Sequence, residues 1–302
     1  YEKFLEDHAE KEANSNDYTS TPQAAIIKEA KTDARKNKCT LFIGAGVSSS
    51  CGMVGWDDLL KEMISAKRAN VNYEEVFKQC GWSELVTARY IKDILYGQKE
   101  KEFRDKLREI LYKYDIKPDS DCIKILQAYI LKRKRIDIIT FNYDSLLDEI
   151  VQDTNLKTKT IFDDITREKD TDVSIYHVHG YVSRNEDKGL SFVLDENQYH
   201  QLYNNPFHWS NVVQLYALRN SVCFFIGLSM NDPNLRRLLD AAMPQNKEGI
   251  WHYAFMSEPE SQQEEKYVME KMLADFRIRV LWYSYDKEHS QLPVLMKAVF
   301  GV

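Results

Sequence analysis

Six short apolar runs, most of them separated by helix-patterned segments, leave this chain few folds to choose from. They are CTLFIG (39–44), IDIITFN (136–142), SIYHVHG (174–180), VCFFIG (222–227), IWHYAFM (250–256) and IRVLWY (278–283). Near-continuous apolar runs of strand length, rather than alternating ones, belong to strands covered on both faces. Strands of that kind joined by helices form a parallel sheet, because a parallel connection must cross the sheet. The expected fold class is therefore α/β, a Rossmann-like doubly wound parallel sheet. Between about 56 and 135 the apolar residues recur only at three- and four-residue spacing, as at Phe103, Leu107, Ile110 and Leu111. That pattern predicts an inserted all-helical small module after the first strand. The division expected is an N-terminal arm at 1–22, a Rossmann-like domain from 23–55 and 136–302, and the helical insertion at 56–135. A hairpin-like piece ending in SFVL (191–194) is also expected.

Composition narrows the function classes. With 43% hydrophobic and 29% charged residues the chain can bury a core, and 41 basic against 47 acidic residues leave −6. That balance argues against a general nucleic-acid binder, which needs a cationic face. Lys132 to Arg135 stand at a predicted helix end, where cations complement the helix dipole. No apolar run approaches the roughly 18–20 residues of a membrane span, and the first 20 residues carry no leader pattern. Cys39, Cys51, Cys80, Cys122 and Cys223 are odd in number and contain no C-x-x-C, which predicts reduced thiols, a cytoplasmic protein and no thiolate zinc site.

Four candidate sites fall at the carboxyl ends of four predicted strands, where open α/β sheets bind ligands. The first is Gly44-Ala45-Gly46-Val47-Ser48, whose glycines would let backbone approach a pyrophosphate or would simply make a tight turn. Ser49 stands where a dehydrogenase fingerprint needs its third glycine, and no ribose-binding acid follows at the right interval, so hydride transfer is not expected. The second is Thr140-Phe141-Asn142-Tyr143-Asp144, where Asn142 and Asp144 could face the crevice, or Asp144 could cap the next helix. The third is His177-Val178-His179-Gly180. His179 at the strand tip suits a general base, and His177 suits a satisfied core residue. The fourth is Gly227-Leu228-Ser229-Met230-Asn231-Asp232-Pro233, a loop for phosphate or ribose in which Asp232 and Pro233 also open a helix. Trp56 could flank a ligand or staple its helix, and Asp57 could line the site or cap that helix.

The order GAGVS, TFNYD, HG and GLS resembles the sirtuin superfamily, over about residues 38–240. The resemblance implies a Rossmann-like domain that cleaves the bond between nicotinamide and ribose in NAD+. By it, Gly44, Ala45, Gly46, Val47 and Ser48 would line the pyrophosphate and ribose. Asn142 would hold the nicotinamide ribose, Asp144 would contact the carboxamide and His179 would act as base. Gly227 and Ser229 would lie near the adenosine half; Asn231, Trp56 and Asp57 are further ligand-binding candidates. The four-cysteine zinc ribbon of the deacylases is missing, and Gly55-Trp56-Asp57-Asp58 replaces their D-F-R. Both departures are similar to the sirtuin-like domains of bacterial anti-phage defence. That branch implies an NAD+ glycohydrolase with NAD+ as substrate and no metal, acting as a homo-oligomer with a C-terminal sensor domain or partner protein and a phage-derived activator. The alternatives are an NAD-dependent protein deacylase, and a non-catalytic module sensing NAD or ADP-ribose, which would need neither Asn142 nor His179.

Overall fold

In the computed structural model, residues 23–302 are described except 69, 74, 76, 78, 80, 114–119, 164–169, 186–191, 244–248, 260–262 and 287–288. The arm expected at 1–22 lies outside the described residues, as does Ser191 of the SFVL piece. The six apolar runs form β1 (Cys39–Ile43), β2 (Ile136–Thr140), β4 (Val173–His177), β5 (Val222–Ile226), β6 (His252–Ser257) and β7 (Ile278–Tyr283). A further strand, β3 (Thr158–Ile161), completes a sheet of order β3-β4-β2-β1-β5-β6-β7, and every pairing in it is parallel.

Period-two alternation splits the strand residues between two cores. Leu41, Ile43, Ile138, Ile175, Phe224, Ile226 and Phe255 point to one face, and Phe42, Ile139, Tyr176, Phe225, Ala254 and Trp282 to the other. The first face is covered by α1 (Ala24–Lys36), α6 (Asp121–Arg133) and α12 (Gln291–Phe300), where Tyr129 stacks on Phe300 at 4.2 Å. The second carries α9 (Trp209–Asn220), α10 (Pro233–Ala242) and α11 (Gln263–Asp275). Helices on both faces of an all-parallel sheet are the Rossmann-like arrangement expected.

The elements described between β1 and β2 are all helices: a short turn α2 (Ala45–Ser49), then α3 (Trp56–Lys67), α4 (Glu84–Arg89), α5 (Glu100–Leu111) and α6. From α4 the chain continues as a π-helical segment, Tyr90–Tyr96. The last of these helices packs on α1 and α12 rather than away from the sheet. Tyr129 Oη donates to the Ala34 carbonyl (2.8 Å), and the Arg133 guanidinium donates to the carbonyls of Ala34, Arg35 and Asn37. Arg133 thus caps the end of α1, a neighbouring helix, where the sequence reading had placed these cations at the end of their own helix. No helix among the described residues is long and apolar enough to cross a membrane.

Two local expectations are corrected. The SFVL segment forms no strand among its described residues; it gives one ladder bond, Val193 N–H to the His179 carbonyl (2.8 Å), and then enters α8 (Glu196–Asn204). That helix lies where no element was expected. It is closed by a capping box in which Asp195 accepts from Gln198 N–H and the Gln198 side chain accepts from Asp195 N–H, a signature legible as D-E-N-Q.

His252 couples the core to pH. It is buried at the start of β6, its Nδ1 accepts from Cys223 N–H (3.1 Å), and burial pushes its pKa down to about 4. The unfolded chain takes up this proton near pH 6.5 and the folded chain only near 4. Stability present above 6.5 is therefore lost as pH falls through that window, by up to about 1.4 kcal/mol per pH unit. Urea midpoints measured from pH 7 to 4 are expected to fall less steeply in His252→Asn, which keeps an acceptor but cannot titrate. An unchanged slope would remove His252 as the cause.

Candidate functional site

The strand registers bring four loops to one place. Ile43 pairs with both Thr140 and Ile226, and Thr140 pairs with His177, so the carboxyl ends of β4, β2, β1 and β5 are level. From β1 the chain crosses first to β2, on one side. It later enters the other half of the sheet at β5, so the crevice opens at the switch point between the halves. A cavity of about 800 Å³ lies there, walled on its far side by residues of the helical segment after β1.

Eight of the residues singled out in the sequence line this cavity: Ala45, Trp56, Asp57, Asn142, His179, Gly227, Ser229 and Asn231. Gly44, Gly46, Val47, Ser48 and Asp144 stand behind its wall. The glycine loop is locked to the β5 loop: Gly44 N–H donates to the Ile226 carbonyl (2.9 Å) and Gly46 N–H to the Gly227 carbonyl (3.0 Å). A Cβ at Gly44 would meet Gly227 O at 2.4 Å, and one at Gly46 would meet Gly227 Cα at 2.8 Å. These two glycines permit backbone-to-backbone contact between loops, which places Ala45 at the cavity surface.

Asn142 is held by its amide nitrogen. Nδ2 donates to the Gly44 carbonyl (3.1 Å) and to Ser48 Oγ (2.8 Å), and because a carbonyl can only accept, the orientation of the amide is settled. Among the described residues no donor is bonded to Oδ1. Ser48 Oγ passes its own proton to Asp144 Oδ2 (2.9 Å), and Asp144 Oδ1 accepts from Leu146 N–H (3.0 Å) at the start of α7 (Leu146–Gln152). Asp144 therefore holds the first N–H of α7 from the residue before its N-cap, Ser145, and anchors a Ser48–Asn142 chain. Its carboxylate is turned to these partners and not to the cavity.

His177 and His179 have separate surroundings. His177 is enclosed, its Nδ1 paired with the Asn142 carbonyl (3.0 Å) and its Nε2 with Asp148 Oδ2 (2.9 Å). Burial opposes its charge, but Asp148 and the carbonyl outweigh burial and raise its pKa. Both neighbours accept, which suits a doubly protonated ring. His179 lines the cavity, its ring set edge-on between Phe141 (4.8 Å) and Tyr199 (5.6 Å). Burial lowers its pKa, against the pull of Asp232, so the ring is neutral near pH 7 and able to accept a proton. Among the described residues no group of His, Cys, Asp and Glu converges to hold a metal ion.

Sequence reasoning passed over several lining residues: Phe141 and Tyr143 within TFNYD, Tyr73 and Phe77 after α3, and Tyr199. Asp232 was read only as a helix cap. It is one, accepting from Leu235 N–H (2.6 Å), but its Oδ2 also accepts from Tyr199 Oη (2.5 Å) at the cavity wall.

Residues 137–281 match the SIR2-like domain family; the glycine loop precedes the matched stretch. Among characterised proteins, the chain is 24% identical over 263 residues to the NAD(+) hydrolase ThsA of Bacillus cereus (strain MSX-D12), covering 84% of this chain and 49% of that protein. It is 25% identical to the ThsA of Cytobacillus dafuensis, over 78% of this chain and 44% of that one. It is also 27% identical to Defense-associated sirtuin 2 of Bacillus subtilis, over 71% of this chain and 20% of that one. The chain thus spans half or less of the length of these relatives.

Proposed function

We propose that this chain is an NAD+ glycohydrolase domain, cleaving NAD+ to nicotinamide and ADP-ribose in bacterial anti-phage defence. One observation carries the reading: Asn142 and His179, from the ends of adjacent strands, line a single cavity at the switch point. Relatives named as NAD(+) hydrolases, and one named as a defence-associated sirtuin, support it. The nicotinamide ring is a cationic leaving group that departs neutral, so no strong general acid is required. Its loss leaves an oxocarbenium-like ribose, as in glycoside hydrolysis. The work left to the protein is to hold the ribose, place a water and take its proton. Asn142 Oδ1 can accept from a ribose hydroxyl or from that water, and neutral His179 can take the proton.

The binding residues proposed are Ala45, Trp56, Asp57, Gly227, Ser229 and Asn231 at the wall. Gly44, Gly46, Val47, Ser48 and Asp144 would shape it from behind. NAD+ is the proposed partner, as substrate rather than resident cofactor. A cytoplasmic homo-oligomer, joined to a sensor domain or partner protein and switched on by a phage-derived signal, is the setting proposed for it. The test is nicotinamide release from NAD+ with and without an acetyl-lysine peptide, beside His179→Ala. Release that is independent of peptide and lost in the variant is expected. Peptide-dependent release would make the domain a deacylase. NAD+ binding without release would make it a sensor, or an effector awaiting its activating signal.

A further inference from the structure

We infer that Asp232 is a positioning residue: it holds His179 as the Nε2–H tautomer, so that Nδ1 is the ring nitrogen that takes the proton. The inference rests on the hydrolase reading for its chemistry, but its geometry stands by itself. Among the described residues His179 Nε2 is enclosed and has no hydrogen-bond partner, and Asp232 Oδ2 lies 3.5 Å from it. Nδ1 is not among the enclosed, unpartnered atoms, and His179 lines the cavity. A buried N–H facing a carboxylate is favoured, whereas a buried lone pair facing a carboxylate is not. The carboxylate is itself fixed. Its Oδ1 accepts from Leu235 N–H, and its Oδ2 accepts from Tyr199 Oη. The ring is gripped edge-on by Phe141 and Tyr199. The 3.5 Å separation lets the ring close onto Oδ2 as it becomes charged, since catalytic hydrogen bonds tighten when the reacting complex forms.

In the reaction the C1′–N bond of the nicotinamide riboside breaks and its electron pair leaves with the ring, neutralising the pyridinium. A water oxygen bonds C1′, and its proton passes to His179 Nδ1. The imidazolium so formed has both nitrogens protonated, and Asp232 balances its charge through Nε2–H. The logic is that of an aspartate orienting a histidine base, with the two ring nitrogens exchanged.

The tautomer can be read directly in the protein without NAD+, by long-range proton–nitrogen correlation on 15N-histidine-labelled protein. His179 would be assigned among the seven histidines by the signal missing in His179→Gln. At neutral pH the wild type should show a protonated Nε2 and a bare Nδ1. Asp232→Asn, still a good helix cap, should shift His179 toward Nδ1–H. It should also lower kcat by roughly 10- to 100-fold with KM little changed, less than a fully hydrogen-bonded couple loses. Asp232→Ser, which also caps a helix, is the second variant and should behave alike. A wild-type Nδ1–H tautomer, or variants whose tautomer matches the wild type, would overturn the inference. Because this reading needs no substrate, it is decided separately from the hydrolase assay.

Discussion

Asn142→Ala is expected to lower NAD+ hydrolysis by about 10²–10⁴-fold, the usual cost of losing one positioned polar group at a reacting centre. The fold should survive. Ser48 Oγ keeps its bond to Asp144, and the Gly44 carbonyl keeps Val47 N–H at 3.1 Å. The loss of two hydrogen bonds from a buried amide costs roughly 1–3 kcal/mol, a melting temperature lower by several degrees in a chain of this size. Asn142→Asp separates polarity from identity. Its second oxygen would replace Nδ2 and face the Gly44 carbonyl at 3.1 Å, two acceptors in contact, with Asp144 one hydroxyl away. That variant should be less stable than Asn142→Ala and equally inactive. Nicotinamide release and thermal melting measured side by side decide the matter. An Asn142→Ala protein with near wild-type turnover would exclude the amide from the chemistry.

What could be read from the chain depended on how each signal arises. β1, β2, β4 and β5 lie buried between two layers of helices and show it as near-continuous apolar runs. β3 has a neighbour on one side only, and its Thr158, Lys159 and Thr160 are half-buried; an edge strand need not look apolar, so it is not among the six apolar runs. The site was legible wherever it occupies a loop directly after a strand, because strand ends in such a sheet are brought level by register. Tyr199 was not, since it arrives on α8, whose capping box marks a helix but not a site. Asp232 shows the converse: one carboxylate serves as cap and as neighbour of His179, and the cap alone accounts for its place in the sequence. The two glycines of the first loop were read for a ligand's approach, while their packing against Gly227 requires a partner 180 residues away that no local pattern discloses.

That packing makes Gly227→Ala the variant with the largest expected cost to stability. Gly227 has φ +67°, a backbone conformation that costs an alanine roughly 1–3 kcal/mol. The added Cβ would also lie 2.7 Å from Val47 N and 3.1 Å from Gly46 C and Cα, all backbone atoms that cannot turn aside. Overpacking of that kind adds roughly 1–3 kcal/mol, so the total approaches half the stability of an ordinary domain. Gly55→Ala is the matched control. Its φ is −71°, nothing lies within 4 Å of its Cβ position, and it should cost less than about 1 kcal/mol. Urea denaturation should therefore show a large drop in midpoint for Gly227→Ala and almost none for Gly55→Ala. Activity should fall with the first, because Ala45 and Ser229 reach the cavity only while the β1 and β5 loops stay bonded through Gly44 and Gly46. Equal midpoints for the two variants would mean that the loops part at little cost, and that the cavity wall is held by something other than glycine-to-glycine contact.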